Sequence, residues 1–92
     1  MTKPPERIDG AHVLEWAWSA EPFGEWLFQE GDVVAVICGL AICEYEGDAR
    51  IYRFSCDAEW ECHQDQDYET VEQAKDELPA QYRNVPAGWQ RV

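Results

Sequence analysis

The fold is decided by one stretch of alternating side chains, YRFSCDAEWECH, at residues 52–63. Successive side chains of a β-strand point to opposite faces of a sheet, so a strict period of two residues indicates one buried and one wet face. The apolar or small set consists of Tyr52, Phe54, Cys56, Ala58, Trp60 and Cys62. The polar set consists of Arg53, Ser55, Asp57, Glu59, Glu61 and His63. The pattern predicts one long strand over residues 52–63, with room for a bend near Asp57.

The most apolar segment of the chain, residues 33–45, precedes this stretch. Its β-favouring side chains occupy both parities, which is typical of a central strand covered on both faces. Gly47-Asp48 fits a two-residue hairpin turn. That turn fixes the register and pairs Cys43 with Tyr52, Ala41 with Phe54, Gly39 with Cys56, Ile37 with Ala58, and Ala35 with Trp60. Small residues lie opposite large ones in this register, which lets the side chains interdigitate.

Weaker patterns flank these two strands. Residues 1–10 are predicted to be a flexible tail that ends in a turn at Asp9-Gly10. Residues 12–19 alternate as a further strand, with Leu14, Trp16 and Trp18 on one side. Residues 21–32 are broken by proline and glycine and are interpreted as a loop, in which the apolar piece at 26–28 supports no assignment. The position of Trp89 is equally open.

A helix is predicted to begin at Thr70. The segment TVEQ at residues 70–73 fits a capping box, and Pro79 ends the helix because its ring clashes with the preceding turn. A helix this short is not stable alone in water, so we expect it to pack on the aromatic face of Tyr52, Phe54 and Trp60. The sequence therefore predicts one α+β domain over residues 1–92. It comprises an antiparallel sheet of three or more strands with one C-terminal helix packed on one face.

The net charge of the chain limits the classes of partner that it can bind. The 92 residues carry a formal net charge of −12, and residues 44–77 alone hold twelve acidic and three basic side chains. Nucleic acids and anionic lipids are bound by Lys and Arg, so we expect neither nucleic-acid nor membrane binding. The longest apolar run, residues 33–43, is too short to span a bilayer, and the first residues do not form a signal peptide. The expected location is cytoplasmic. The negative field of the acidic side chains attracts a basic protein or a cation. The alternative is that the charge only keeps the protein soluble.

The four cysteines are predicted to be buried free thiols. They are Cys38, Cys43, Cys56 and Cys62. On a straight strand Cys56 and Cys62 would lie about 20 Å apart, which excludes a shared metal or a disulfide. Cys62 and His63 would point to opposite faces, so they do not form a nucleophile–base pair. We therefore expect no metal, no cofactor and no catalytic residue.

Carboxylates are the remaining candidates for a site. Asp57, Glu59 and Glu61 line one face of the predicted strand and are the candidate partner-binding residues. Neighbouring like charges raise one another's pKa, which an acid–base enzyme can use, whereas the plainer alternative is a solvated face. A weaker acid–base or cation site involves His63, Asp65 and Asp67. The loop expected around Asp65 and Asp67 lacks the glycine and distal glutamate of an EF-hand.

Three blocks of the sequence resemble small uncharacterised bacterial proteins. The blocks are LAICEYEGD at residues 40–48, RFSCDAEW at 53–60 and YETVEQAK at 68–75. The resemblance covers about residues 40–82 and implies a bacterial cytosolic protein with a hairpin followed by a helix. It implies no activity, so no site residue is carried over from it.

Three functions remain open from the sequence. The first is a small acidic interaction module that binds a basic partner, as an inhibitor, antitoxin or immunity protein does. The second is a small-molecule binder in which a tryptophan-rich sheet face and residues 21–32 form the pocket. The third is an acid–base enzyme that uses Asp57, Glu59, Glu61 or His63. One face of the apolar strand needs cover, which either the first strand and residues 26–28 supply within the chain or a second copy supplies in a homodimer, the favoured alternative. That face consists of Val34, Val36, Cys38, Leu40 and Ile42.

Overall fold

Antiparallel strands make up most of the regular secondary structure of the described residues. A computed structural model describes residues 3–27, 33–82 and 85–92. The strands are β1 Arg7–Ile8, β2 Ala11–Trp18, β3 Gly24–Leu27, β4 Val33–Ile37, β5 Gly39–Glu44, β6 Ile51–Cys56, β7 Cys62–Tyr68 and β8 Gln90–Arg91. The helices are α1 Val71–Asp76 and a 3₁₀ turn Ala80–Tyr82. The larger sheet has the order β1-β2-β5-β6-β7, with β8 also paired to β2, and β3-β4 form a separate hairpin.

The predicted α+β class is wrong. The larger sheet curls into a half-barrel, and the single short helix α1 does not make a layer on one face of the sheet. Of its six residues only Ala74 is buried. The expected seat is also wrong, because Ala74 packs with Ile42 and Tyr68 and not on the aromatic face of Tyr52 and Phe54. A segment of six residues is too short to cover a sheet of six strands.

The start of α1 is as predicted. The Thr70 hydroxyl accepts the Gln73 N–H at 3.0 Å, and the Gln73 side chain accepts the Glu69 N–H at 3.0 Å. The turn at Asp9-Gly10 also forms, with φ angles of 50° and 84°. A turn with positive φ at both central residues has a backbone twist that matches the twist of the strands, so it connects two antiparallel strands tightly. Within the expected tail, Arg7–Ile8 form β1, and Ile8 is buried.

The predicted single strand over residues 52–63 is wrong. The strand β6 ends at Cys56, the chain reverses, and β7 begins at Cys62. The Trp60 N–H donates to the Asp57 carbonyl at 3.1 Å, and Trp60 has φ +66°. This three-residue loop, with its last residue in the left-handed region, is a common hairpin connection. Polarity alternates through the loop as it does along the strands, so the pattern alone does not reveal the reversal.

The β5–β6 register is confirmed where both strands exist. Cys43 lies opposite Tyr52, Ala41 opposite Phe54, and Gly39 opposite Cys56. The connection between β5 and β6 is longer than the predicted two-residue turn at Gly47-Asp48. In it the Asp48 N–H donates to the Tyr45 carbonyl, so the hydrogen-bonded turn spans residues 45–48. The pairs that involve Ile37 and Ala35 are wrong, since β6 has ended by then. Their segment is a separate strand, β4, that leaves the larger sheet at Cys38.

A bulge in β2 changes which of its side chains share a face. The strand predicted at residues 12–19 is present, but its register shifts between Val13 and Glu15. Val13, Trp16 and Trp18 therefore lie opposite Cys43, Ala41 and Gly39. These three side chains of β2 pack in the same cluster as Phe54 and Trp60. One unpaired residue in a bulge reverses the parity of everything beyond it.

The sheet face that was predicted to be exposed to water holds the most buried charged side chain among the described residues. Arg53 is 1% exposed and Ser55 is 0% exposed. Arg53 Nη1 donates to the Tyr68 hydroxyl at 2.6 Å and to the Glu77 carbonyl at 3.0 Å. Its guanidinium lies 5.3 Å from the centroid of the Tyr68 ring and 6.0 Å from that of Tyr82. Arginine is suited to this position because its planar cation stacks on aromatic rings while it donates hydrogen bonds.

The apolar face that was predicted to need cover is covered within the chain at Leu40 and Ile42, whereas Val36 is 39% exposed. Leu40 packs with Phe23 and Tyr82, and Ile42 packs with Tyr68 and Ala74. Both are 0% exposed. The need for cover that led to the expected homodimer is therefore met for these two residues. Residues 28–32, part of the segment that the sequence left unassigned, lie outside the described residues.

Replacing Gly39 by alanine should destabilise the protein. A β-carbon on Gly39 would lie 2.6 Å from Cζ3 of Trp60. Trp60 is held by the turn and by an edge-to-face contact with Trp16, so it has little room to move. We expect Gly39→Ala to lower the free energy of unfolding by about 1–3 kcal/mol, as overpacking does. Urea unfolding followed by tryptophan fluorescence measures the change.

The matched control is Gly88→Ala. A β-carbon there meets no atom within 4 Å, and the change should stay below about 0.5 kcal/mol. Equal effects of the two substitutions would contradict the packing of Trp60 on Gly39.

Candidate functional site

The candidate site is the acidic edge, defined here as the turn at residues 57–61 together with strand β7. Among the described residues β7 has a strand partner on one side only, because it ends the sheet order. Glu59, Glu61, Asp65 and Asp67 are exposed at this edge. The structure thus brings the predicted partner-binding residues and the weaker candidates into one contiguous region, although not onto one strand.

Asp57 has a different role from the two glutamates. Its Oδ1 accepts the N–H of Glu59 at 2.9 Å and that of Glu61 at 3.0 Å. Its Oδ2 lies 2.9 Å from Nε2 of His63. Aspartate commonly closes turns in this way because its short side chain reaches the backbone two residues on. Asp57 therefore holds the turn, and Glu59 and Glu61 project from it into solvent.

These hydrogen bonds control the ionisation of Asp57. Burial alone would raise the pKa of this carboxyl. The bonds from His63 and from the backbone N–H groups of Glu61 and Glu59 outweigh burial and hold the pKa below its usual value. The Asp57 carboxylate is therefore ionised at neutral pH. The pair is an ion pair whenever His63 is protonated.

The charge on β7 is only partly compensated. Asp67 pairs with Arg50 at 3.0 Å, and the same guanidinium lies 4.0 Å from Glu69. Among the described residues no ion pair involves Glu59, Glu61 or Asp65. Three uncompensated carboxylates therefore lie at the turn and on the adjoining half of the edge strand.

The acidic edge does not converge on a cation. Asp65 and Asp67 lie in β7 and not in the loop that the sequence suggested. Within the described ranges no group of three or more His, Cys, Asp or Glu side chains could hold a metal ion. Residues that alternate along a strand diverge, whereas a calcium site needs several oxygens around one point.

The reversal at the turn brings two cysteines together. Cys56 lies directly opposite Cys62 in the β6–β7 register. The separation of about 20 Å expected on a straight strand is therefore wrong. All four cysteines are free thiols. The only signal that could have indicated this pairing is the turn-forming aspartate halfway along the alternating stretch.

The tryptophan-rich face is largely filled by its own side chains. Trp16 and Trp60 pack edge to face, with centroids 6.1 Å apart. A cleft of about 220 Å³ borders Trp16 and is lined by Lys3, Pro4, Pro5, Glu6 and Val92. A more open groove of about 500 Å³ is lined by Glu21, Pro22, Gly24, Glu25 and Val36. Among the described residues, Trp16 thus borders the first cleft, and Glu21, Pro22, Gly24 and Glu25 border the second.

No helix in the described ranges is long and apolar enough to cross a membrane. Comparison of the chain with protein-family models, curated sequences and solved structures finds no match. The resemblance to small bacterial proteins thus receives no further support, and function is inferred from the geometry alone.

The low pKa of Asp57 predicts a pH-dependent effect of its replacement. A carboxyl whose folded-state pKa lies below the unfolded value of about 3.9 stabilises the fold above that pH. The contribution is lost as the pH falls through the folded-state pKa. Asp57→Asn retains an oxygen for the N–H groups but loses the charge facing His63. We expect it to lower the free energy of unfolding at pH 7, with a difference from wild type that shrinks below about pH 4.

Glu59→Gln is the control, since that side chain is exposed on the same turn. It should change the free energy of unfolding little at either pH. Chemical unfolding of the three proteins at neutral and acid pH makes the comparison. An Asp57→Asn difference that is equally large at both pH values would show that the charge of Asp57 does not stabilise the turn.

Proposed function

We propose that the protein is an acidic interaction module that binds a basic, extended segment of a partner protein along β7. One observation carries the proposal: among the described residues, β7 has an unpaired strand edge, and Asp65 on β7 and Glu59 and Glu61 in the adjoining turn have no ion-pair partner. The proposal includes a cytoplasmic location, which the four free thiols support because reducing compartments keep cysteines in that state.

The backbone of β7 supplies the first half of the recognition. An edge strand carries N–H and C=O groups that no neighbouring strand satisfies, and an extended peptide adds to such an edge by main-chain hydrogen bonds. The strand is seven residues long, which is enough for several such bonds. Residues on the added segment would alternate between the two faces of the sheet, as those of β7 do.

The side chains supply the second half. Glu59, Glu61 and Asp65 are exposed, and Asp65 lies opposite the buried Phe54 on the aromatic face. A lysine or arginine on the same face of an added strand would come next to Asp65, and the two glutamates would extend the attraction beyond the turn. Exposed charges add their fields over about a Debye length, which accelerates capture of a cationic segment.

The competing explanation is protection of the edge. Charges on an edge strand prevent it from pairing with the edge of a second copy. This explanation accounts for repulsion between two acidic copies, and it predicts no affinity for a basic peptide. The two explanations therefore separate in a binding experiment.

Two other functions have less support. The Trp16 indole N–H is buried, has no hydrogen-bond partner within the described part of the chain, and belongs to a residue that lines the smaller cleft, so a ligand with an acceptor atom fits there. An acid–base enzyme would use Asp57 and His63, but Asp57 is engaged in the turn. Neither of the two clefts described above is lined by Asp57 or His63.

The test uses a synthetic peptide in which lysine and valine alternate, titrated into the labelled protein and followed by backbone amide chemical shifts. We expect the largest shifts in β7 and the turn, and a dissociation constant that rises steeply with salt. Replacing Glu59 and Glu61 by Gln and Asp65 by Asn should weaken binding about tenfold, since an exposed ion pair contributes roughly 0.2–1 kcal/mol.

The control removes the same charge elsewhere, with Glu21, Glu25 and Glu46 replaced by Gln, all exposed positions. It should bind nearly as wild type does. A peptide in which lysine and proline alternate should bind far less well, because proline lacks the N–H that strand addition needs. Equal loss in both triple variants, or equal binding of both peptides, would show a net-charge effect and refute recognition by the β7 edge.

A further inference from the structure

We propose that Cys56 and Cys62 form a redox-active thiol pair that exchanges with low-molecular-weight disulfides and prefers cationic ones. The pair lies where β6 and β7 meet the turn at residues 57–61. This inference does not depend on partner binding by the acidic edge, and its test has a different readout.

The first argument is the register. Cys56 and Cys62 are directly opposite each other in adjacent antiparallel strands, so their side chains lie on the same face. The Cys56 carbonyl points towards β5, where it accepts the Cys38 N–H. The next pair towards the turn, Asp57 and Glu61, is hydrogen-bonded, because the Asp57 N–H donates to the Glu61 carbonyl. The cysteines therefore occupy a non-hydrogen-bonded position, where opposite Cα atoms are about 4.5 Å apart. That separation is within the range of disulfides.

The second argument is that no other pair fits as well. Cys43 lies on β5, two strands from Cys62, and is also offset from it along the strands, so their Cα atoms lie more than about 9–10 Å apart and beyond a disulfide. Cys43 and Cys56 are on adjacent strands, but Cys56 lies opposite Gly39, four residues along β5 from Cys43. Cys38 precedes Gly39, so its side chain is expected on the other face of the sheet.

The third argument is the difference between the two thiols. Cys62 is partly exposed at the rim, whereas Cys56 is 0% exposed. Hydrogen bonding between them favours the thiolate on Cys62, whose pKa is lowered, and the thiol on Cys56, whose pKa is raised by that bond and by burial. Burial raises the pKa of Cys43 to about 12, so this nearby thiol stays protonated. The accessible member of the pair is thus also the better nucleophile.

The reaction is a two-step exchange. The Cys62 thiolate attacks one sulfur of a disulfide RSSR, forms Cys62–S–S–R and expels RS⁻, which takes up the proton that Cys62 released. Cys56 then gives its proton to solvent and attacks the Cys62 sulfur, which breaks the mixed disulfide and expels the second RS⁻, protonated in turn. The protein dithiol loses two electrons and two protons, and RSSR gains them as two RSH.

The surroundings of Cys62 select the charge of the disulfide. The hydrogen bond from Cys56 lowers the pKa of the Cys62 thiol, and Asp9 and Asp65 lie close enough to oppose that shift by their charge. The Asp57 carboxylate adds negative charge at the adjoining turn, where its Oδ2 lies 2.9 Å from Nε2 of His63. A field of this sign concentrates a cationic disulfide at the thiol and repels an anionic one.

The test compares two probes, cationic cystamine and anionic oxidised glutathione, on the native full-length chain. Under each probe we expect two of the four thiols to be lost and then recovered with dithiothreitol. At low salt cystamine should react at least about tenfold faster, and the ratio should shrink as salt screens the field. A protease that cuts after Glu59 or Glu61 separates the two cysteines, so a disulfide-linked peptide pair identifies the bond.

Single replacements assign the roles. Cys62→Ser should keep its remaining thiols under the same treatment. Cys56→Ser should stop at a stable mixed disulfide on Cys62, because the resolving thiol is gone. Cys38→Ser is the matched control, a buried cysteine outside the pair, and should form the disulfide as wild type does.

Three results would overturn the proposal. One is wild type that keeps all four thiols, another is a bond between any other two cysteines, and the third is a faster reaction with the anionic probe. Mapping of the disulfide in the wild-type protein tests the proposal even if the Cys56→Ser variant does not fold.

Discussion

The structure depends on the hydrogen bonds by which Asp57 reverses the chain. One carboxylate accepts the N–H groups of Glu59 and Glu61 and faces His63 at the start of β7. Without that reversal the alternating stretch would run on as one strand and β7 would not exist as an edge. The turn also places Trp60 in the left-handed region, which costs roughly 1–2 kcal/mol for a residue with a side chain. Burial of its indole over Gly39 offsets that cost.

The same reversal places two kinds of chemistry at one end of the sheet. It projects Glu59 and Glu61 outward, and it sets Cys56 opposite Cys62 immediately inside the turn. A disulfide there would close the hairpin next to the carboxylates and reduce the freedom of the turn. The opposite face has a separate anchor, where the buried Arg53 joins β6 to β7 and to the end of α1. The acidic edge is therefore supported on both faces of the sheet.

The sequence predicts what depends on local chemistry. The β5–β6 register and the Thr70 cap were predictable because a turn signal, size complementarity and a capping pattern each act between near neighbours. The β6–β7 reversal was not, since polarity alternates through the turn without interruption. The burial of Arg53 depends on aromatic partners supplied by β7 and the 3₁₀ turn, which no local pattern reveals. The acidic residues of the site were identified from the sequence, but their division into a turn-closing Asp57 and an exposed set required the structure.

Residues 52–63 form the end of a hairpin closed by Asp57 and not one long strand. The most direct measurement is the nuclear Overhauser effect between the Hα protons of Cys56 and Cys62 in the reduced protein. Opposite residues at a non-hydrogen-bonded position bring these protons close together, so our account predicts a strong cross-peak. On one continuous strand the two protons would be about 20 Å apart. Absence of the cross-peak, with sequential contacts typical of extended chain through residues 56–62, would contradict the account.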